Sequence, residues 1–132
     1  PLEQRARIMI YLDTHVVIWL YDDTDKKFSN FAKDKMRNND LFISQMVRLE
    51  MQYLYEIGRI KTLPEVVLNS LGKSIGLTIA QTDSGLIFDS AIKIDWTRDV
   101  FDRLIVAQAI ADDAEFISKD ANILKNYDKA IW

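Results

Sequence analysis

Short apolar runs alternate along this chain with longer segments in which apolar residues recur every three or four positions. Residues 8–12 form a run without a polar interruption, which is typical of a strand buried on both faces. Further short strands are predicted at residues 41–43, 77–80 and 115–118. The pattern therefore predicts a central sheet built from buried strands.

Helical periodicity fills the segments between these strands, and capping residues mark several helix starts. Strands that alternate with helices predict a mainly parallel sheet with helices on both faces, a three-layer α/β/α sandwich. Ligands of such folds bind beyond the carboxyl ends of the strands. The predicted helices cover residues 16–21, 28–37, 45–57 after a Ser44 cap, 65–71 after Pro64, a segment from a Thr82 or Asp83 cap to residue 92, 100–111, and a short final turn after Asp120.

Four acidic residues occupy positions where a charge is costly. Asp13 ends the first apolar run and Asp120 follows the last predicted strand, whereas Glu50 and Asp102 lie on the apolar stripes of two helices. Buried carboxylates are expensive unless they are paired or bind a metal. Four of them in one small domain predict an acidic cation site. The stripe neighbours are Met46, Tyr53, Leu54 and Ile57 for Glu50, and Ile105, Val106 and Ala109 for Asp102.

Each carboxylate also has an ordinary structural interpretation. Asp13 and Asp120 could be helix N-caps, and Asp102 gains about 0.3–1 kcal/mol from the helix dipole in a first turn. Asp99 is predicted to cap that helix or to hold Asp102 by a hydrogen bond. The hydroxyls of Thr14 and Ser118, next to strand ends, are predicted to cap helices and to donate to the carboxylates.

The chemistry that such a cluster supports is specific. Mg²⁺ and Mn²⁺ prefer carboxylate and water oxygens. A metal held in this way activates water and stabilises the charge that develops on a phosphate. The sequence therefore predicts hydrolysis of phosphodiester bonds by metal-activated water, without a side-chain base.

Cationic and aromatic residues also lie near the acidic positions in sequence. Possible phosphate contacts are predicted for Arg48, Arg98, Arg103 and Lys119, although ordinary surface charge explains any one of them equally simply. His15, the single histidine, is interpreted as a packing or capping residue. The aromatic side chains are assigned to the core or to a self-association surface rather than to base stacking.

Length and composition limit the number of domains and the kinds of site that the chain can form. The 132 residues suit one domain, predicted at 9–132, and residues 1–8 are treated as an N-terminal extension derived partly from cloning or preceding an alternative start. The absence of cysteine excludes thiolate metal sites, and the net charge of −3 is unusual for a nucleic-acid binder. No segment approaches the ~18–20 apolar residues of a membrane span, so a cytoplasmic protein is expected.

Several segments together resemble a known family. The string from Met9 to Val16, the Phe42-Ile-Ser44 strand followed by Glu50, the block from Arg98 to Ala109, and Ile117-Ser-Lys-Asp120 occur in order. In this arrangement the chain resembles PIN-domain ribonucleases, particularly the VapC-type toxins of toxin–antitoxin systems. The family often has proline where Val100 stands and histidine where Trp96 stands.

The resemblance implies a function and partners. The family's four acidic metal-site residues correspond to Asp13, Glu50, Asp102 and Asp120, and the family's auxiliary hydroxyl corresponds to Ser118. It implies Mg²⁺- or Mn²⁺-dependent endonucleolytic cleavage of RNA, a homodimer, and inhibition by a small antitoxin that inserts a tail, often basic, towards the acidic site. A catalytically silent PIN-like binding module and a DNA-directed nuclease remain alternatives. A haloacid-dehalogenase-type phosphatase is disfavoured because His15 stands where it needs a second aspartate.

Overall fold

Parallel strands form the centre of the computed structural model, which describes residues 6–132. The five strands in that range lie in the spatial order β3-β2-β1-β4-β5. The central strand β1 is buried, with Ile10, Tyr11 and Leu12 at most 1% exposed. The strands are β1 (Met9–Leu12), β2 (Asp40–Ile43), β3 (Thr78–Ile79), β4 (Glu115–Ile117) and β5 (Ala130–Ile131).

Helices connect consecutive strands on both sides of this sheet. They are α1 (Thr14–Tyr21), α2 (Asn30–Asn38), α3 (Gln45–Glu56), α4 (Pro64–Ile75), α5 (Ser84–Lys93), α6 (Val100–Ala111) and α7 (Ala121–Asn126), with a 3-10 turn at Asp25–Lys27. With the right-handed crossovers that parallel sheets almost always have, this strand order puts the helices between β1 and β3 on one face and those after β3 on the other. The predicted three-layer α/β/α sandwich is confirmed.

Apart from shifts of one or two residues at element ends, such as the starts of α1 at Thr14 and α2 at Asn30, the predicted elements differ from the structure in three respects. Strand β3 has two residues rather than four, and the predicted helix at 65–71 extends to Ile75. Strand β5 was not predicted, because Ala130–Ile131 is too short to show a period and is held by pairing with β4. Residues 1–5 of the predicted N-terminal extension lie outside the described residues.

The strand order reverses direction between β1 and β4. The chain moves outwards from β1 to β3, and then crosses back to β4 on the other side of β1. Such a switch point leaves a crevice beyond the carboxyl ends of the two central strands. Backbone pairing continues to that edge, where the Asp13 N–H donates to the carbonyl oxygen of Ile117 at 3.0 Å. The fold therefore places the residues after β1 and β4 at the mouth of this crevice.

A buried polar cluster fixes helix α6 against the sheet. The Tyr11 hydroxyl donates to Asp112, and burial together with this carboxylate raises the pKa of Tyr11. The Gln108 amide donates to the Thr82 hydroxyl at 2.7 Å and to Asp112 Oδ2 at 2.9 Å. Thr82 therefore belongs to this cluster, and Asp83 occupies the N-cap position of α5. The cluster holds the C-terminal end of α6 in place, and it thereby positions Asp102 at the opposite end of the helix.

In the part of the chain that the structure describes, every helix is too short or too polar to cross a membrane.

Candidate functional site

The two strand-end aspartates are joined through one serine. Asp13 is the N-cap of α1, and its Oδ1 accepts a hydrogen bond from the Thr14 N–H at 2.9 Å. Its Oδ2 accepts from the Ser118 hydroxyl at 2.7 Å. Ser118 Oγ in turn accepts from the Asp120 N–H at 3.0 Å. Ser118 is fully buried, so it ties the end of β1 to the start of α7.

Asp120 is also a helix N-cap. Its Oδ1 accepts from the N–H groups of Asn122 at 2.9 Å and Ile123 at 3.0 Å. The carboxylate is thereby held at the N-terminus of α7, where the orphan donors of the first turn favour a negative charge. Asp13 and Asp120 therefore each cap a helix and also lie at the crevice.

Two helices bring the other two carboxylates to the same crevice. Glu50 lies half-buried on α3, where its Oε1 accepts from the Thr14 hydroxyl at 2.5 Å. Asp102 lies half-buried in the first turn of α6, and its N–H donates to Asp99 Oδ1 at 2.9 Å. Thr14 and Asp99 therefore make the contacts that the sequence predicted for them. Thr14 is 1% exposed, so its hydroxyl has little freedom to point elsewhere.

All four predicted carboxylates line one cleft. Its volume is about 440 Å³, and it opens at the carboxyl ends of β1 and β4. Asp99 lies in the same lining, so that five carboxylates share the cleft. The other lining residues are His15, Val16, Trp19 and Lys119.

Burial and mutual repulsion raise the pKa values of these carboxyl groups. Desolvation raises the pKa of Asp102 to about 7, and the neighbouring charges, led by Asp99, add to the rise. Desolvation also raises the pKa of Asp13, opposed by the hydrogen bond from Ser118. The pKa of Glu50 is raised for the same reason and opposed by the bond from Thr14. The cleft therefore holds more negative charge than its surroundings stabilise.

Protein cations do not compensate for this charge. None of the four carboxylates forms an ion pair with a lysine or arginine within residues 6–132; the ion pairs found there involve other acidic residues. As the side chains stand, no three His, Cys, Asp or Glu residues in that range are grouped so as to hold a metal ion. Binding one ion through several of these carboxylates therefore requires side-chain rotation.

The donor set nevertheless fits a hard divalent cation. Carboxylate oxygens are the ligands that Mg²⁺ and Mn²⁺ prefer, and the cleft offers them without thiol or imidazole pairs that would favour softer metals. The raised pKa values show a net need for positive charge at this point. Asp13, Glu50, Asp102 and Asp120 are the residues that would hold such an ion.

Of the four predicted phosphate contacts, only Lys119 lines the acidic cleft. Arg48 lies on another face of α3, where it bonds Gln45 Oε1 at 2.6 Å and borders a hollow next to α4. Arg98 and Arg103 donate hydrogen bonds to the backbone carbonyls of Asp95 and Ala91, respectively, each at 3.1 Å. Proximity to a carboxylate in sequence did not predict where these arginine side chains point, because neighbouring residues of a helix point to different sides.

Two residues that the sequence analysis assigned to packing lie in the cleft. His15 is exposed there, and Trp19 follows it one helical turn later on α1. Their ring centroids are 6.0 Å apart. The signal that could have found them is their i, i+4 spacing directly after Asp13, which places both on the side of α1 that faces the cleft. The interpretation of His15 as a packing residue is thus corrected.

The bridging position of Ser118 leads to a testable expectation. We expect Ser118→Ala to lower the free energy of unfolding by about 1–3 kcal/mol, because it leaves the Asp120 N–H and one Asp13 oxygen without their buried partner. The pKa of Asp13 should rise further, since the ionised form loses a donor. Urea denaturation and a carboxyl NMR titration measure the two effects. Ser74→Ala, at an exposed position of α4, is the control, and an unchanged Asp13 pKa would contradict the assigned bond.

Comparison with known proteins identifies the fold independently. A family model described as the PIN domain matches residues 10–130. A chain from the VapBC2 structure of Rickettsia felis, bound to a DNA fragment from its promoter, aligns with a TM-score of 0.66 and 18% identity over 94% of this chain and 96% of the matched one. A chain from a toxin–antitoxin complex of Klebsiella pneumoniae aligns with a TM-score of 0.59 and 13% identity, over 93% and 96% of the two chains. No curated protein matches the chain.

Proposed function

Because the chain belongs to the PIN domain family, we propose that it is a metal-dependent endoribonuclease and the toxin of a VapC-type toxin–antitoxin pair. The observation that carries this proposal is the meeting of four carboxylates from two strand ends and two helices in one cleft. Surface solvation or helix capping does not require four carboxylates to meet in one cleft. Phosphodiester hydrolysis by a bound metal does require it, because charge must be stabilised on the phosphate and on the leaving oxygen.

The proposed cofactor is Mg²⁺, with Mn²⁺ as a substitute, held by Asp13, Glu50, Asp102 and Asp120. When bound, the metal supplies a Lewis acid that lowers the pKa of water and neutralises charge on the phosphate. The protein supplies the position and the protonation state of the ligands. Ser118 and Thr14 donate to Asp13 and Glu50, and such bonds favour the ionised carboxylates that metal binding needs.

Other side chains of the cleft orient the substrate in this proposal. Lys119 is the cation of the lining, and its ammonium group is free of an ion pair within residues 6–132. It is placed to contact a phosphate that approaches the acidic residues. With a net charge of −3, the protein has little general attraction for RNA, so affinity rests on contacts near the cleft and on the bound cation.

An antitoxin is the proposed protein partner. Both structural matches reported above belong to toxin–antitoxin complexes, and this supports the proposal although their low identity establishes only the shared fold. The acidic cleft adds a second support, since an uncompensated negative site suits a basic tail of an inhibitor. We place the action of the pair in the cytoplasm, where RNA is available.

A homodimer is also proposed, and exposed apolar residues on α3, α5 and α6 support it. Ile92 on α5 is 75% exposed, Val100 at the start of α6 is 63% exposed, and Leu49 on α3 is 55% exposed. The rings of Tyr53 and Phe101, with centroids 5.7 Å apart, join α3 to α6. We propose that these helices present one apolar surface, because contiguous exposed apolar patches are typical of interaction surfaces.

We expect the purified protein to have twice the 15.3 kDa chain mass in light scattering coupled to size exclusion. Ile92→Glu and Leu49→Glu should shift it to the monomer mass, because each buries a charge in the proposed contact. Phe31→Glu is a matched control, since Phe31 is 52% exposed on α2, away from these helices. A monomeric wild-type protein at micromolar concentration would remove the homodimer from the proposal.

The nuclease itself is tested with purified protein and total RNA. Cleavage should need Mg²⁺ or Mn²⁺, should stop on chelation, and should yield defined ends when the products are mapped. A single-stranded DNA of matched sequence distinguishes an RNA-directed enzyme from a DNA-directed one. Retained Mg²⁺ binding in calorimetry without cleavage of any RNA would favour a silent binding module instead.

A further inference from the structure

Two aromatic rings and a lysine, those of His15, Trp19 and Lys119, line the acidic cleft together with the carboxylates. We call His15, Trp19 and Trp132 the aromatic wall, in which Trp132 contacts Trp19 but does not itself line the cleft. The centroids of His15 and Trp19 are 6.0 Å apart, and those of Trp19 and Trp132 are also 6.0 Å apart. Phe28 packs behind both indoles, with centroid distances of 6.1 Å to Trp19 and 5.7 Å to Trp132. The aromatic wall is therefore supported from the core side and is continuous with the acidic cleft.

Two lysines contact the aromatic wall. Lys119 Nζ is 5.8 Å from the Trp132 ring centroid, and Lys27 Nζ is 5.1 Å from that of Trp19. Lys119 also lines the acidic cleft, so it borders both surfaces. The cleft thus carries negative oxygens beside aromatic rings, and an ammonium group lies over each of the two indoles.

The polar groups of the wall are available to a ligand. Within residues 6–132 the His15 ring and the indole N–H of Trp19 have no hydrogen-bond partner; the bonds found at Trp19 are to its backbone carbonyl, from the Thr24 N–H and hydroxyl. His15 is exposed and Trp19 is half-buried. Both rings line the cleft, so a ligand bound there can reach them.

Rings flanked by ammonium groups next to a phosphodiester site match one ligand chemistry. A nucleobase stacks on aromatic rings whatever its identity, and the adjoining phosphate pairs with a lysine. We propose that His15, Trp19 and Lys119 form a subsite for an unpaired nucleobase and its phosphate, next to the bond that is cleaved. This inference rests on the proposed ribonuclease function and deepens it, because only a base free of its duplex partner can stack there. The substrate class is then a single-stranded segment or loop.

The test compares one single-stranded 12-nucleotide RNA with a hairpin whose stem contains the same sequence. Binding is measured by fluorescence anisotropy of a 5′ label, with Ca²⁺ in place of Mg²⁺ and RNA integrity checked on a gel. We expect Trp19→Leu and His15→Ala to weaken binding of the single strand by about tenfold or more, from the loss of a stacking partner. Trp19→Phe keeps a ring and should lose much less. Binding of the paired stem should change little in any variant.

Controls separate stacking from folding. Thermal melting followed by circular dichroism shows whether Trp19→Leu remains folded, and the exposed His15 offers a variant that does not disturb the core. Phe31→Leu removes an exposed ring from α2 and is the matched aromatic control. In Mg²⁺ kinetics the folded variants should raise KM with little change in kcat, because the stacked base takes no part in the bond changes and is held equally in the ground and transition states.

The outcomes distinguish the subsite from the function on which it rests. Wild-type cleavage of RNA combined with unchanged single-strand affinity in Trp19→Leu and His15→Ala would overturn the subsite alone. Equal losses on the single strand and the stem would also overturn it, since stacking requires an unpaired base. A wild-type protein that binds Mg²⁺ but neither binds nor cleaves any RNA would overturn the proposed function together with the subsite.

Discussion

Asp102→Asn is expected to reduce Mg²⁺-dependent RNA cleavage by about a thousandfold or more. The reason is that Asp102 lies at the start of α6 among the other carboxylates, where its charge is one of the few that can hold a cation against the substrate phosphate. Loss of several kcal/mol of transition-state stabilisation corresponds to this factor, at about 1.4 kcal/mol per tenfold change. Initial rates on a mapped RNA site measure it.

The substitution is nearly isosteric and should not unfold the protein. Asn keeps the shape of the side chain, and the bond from the Asp102 N–H to Asp99 uses the backbone. Without metal the variant should melt at a higher temperature than the wild type, because it removes one repelling charge. Asp89→Asn, at an exposed position of α5 outside the cleft, is the control and should cleave normally. Cleavage by Asp102→Asn at the wild-type rate would remove the assigned metal site.

The stability of the metal-free protein should fall as pH rises from about 4 to about 7. In the unfolded chain an aspartate ionises near pH 4, whereas folded Asp102 holds its proton up to a pKa of about 7. Between these values the folded state binds more protons, so the free energy of unfolding decreases with increasing pH. Asp13 and Glu50, whose pKa values are also raised, act in the same direction.

Mg²⁺ should reverse this trend because it binds the ionised carboxylates of the folded state. At a free concentration about 100 times its Kd, a ligand specific to the folded state adds about 2.7 kcal/mol of stability. Urea denaturation at pH 5, 6 and 7.5, with Mg²⁺ or with chelator, measures both effects. We expect the Mg²⁺ increment to grow with pH in the wild type and to shrink strongly in Asp102→Asn. Identical pH profiles with and without Mg²⁺ would contradict a metal site at these residues.

The acidic quartet was predictable because its signal is local. A charge on an apolar stripe or directly after a buried run is anomalous within its own element, and Glu50 and Asp102 were found in that way. The alternative interpretation of Asp13 and Asp120 as N-caps is confirmed, and their role as metal ligands stays a prediction. Each of these side chains accepts from backbone donors and also lines the cleft, so the two interpretations do not exclude each other.

The surroundings of the quartet were less predictable. Arg48, Arg98 and Arg103 are close to carboxylates in sequence but do not line the cleft, whereas Lys119 does. His15 was assigned to packing or capping but is exposed in the cleft, whereas Trp19 packs against the core as predicted and also lines the cleft. Their directions depend on which side of each element faces the crevice and on what packs against the other side. A pattern of apolar and polar positions separates inside from outside, but it does not tell one exposed side from another.

Local patterns along the chain are enough to predict most of the helices and strands, their alternation and the four costly carboxylates, because each of these signals lies within a few residues. The tertiary structure is needed to tell which of these elements are neighbours. Ser118 reaches Asp13 across 105 residues because β4 pairs with β1, and Trp132 reaches Trp19 because α7 and β5 return to the same side. Such contacts depend on strand order and crossover, which are set by the packing of the whole chain rather than by any local period.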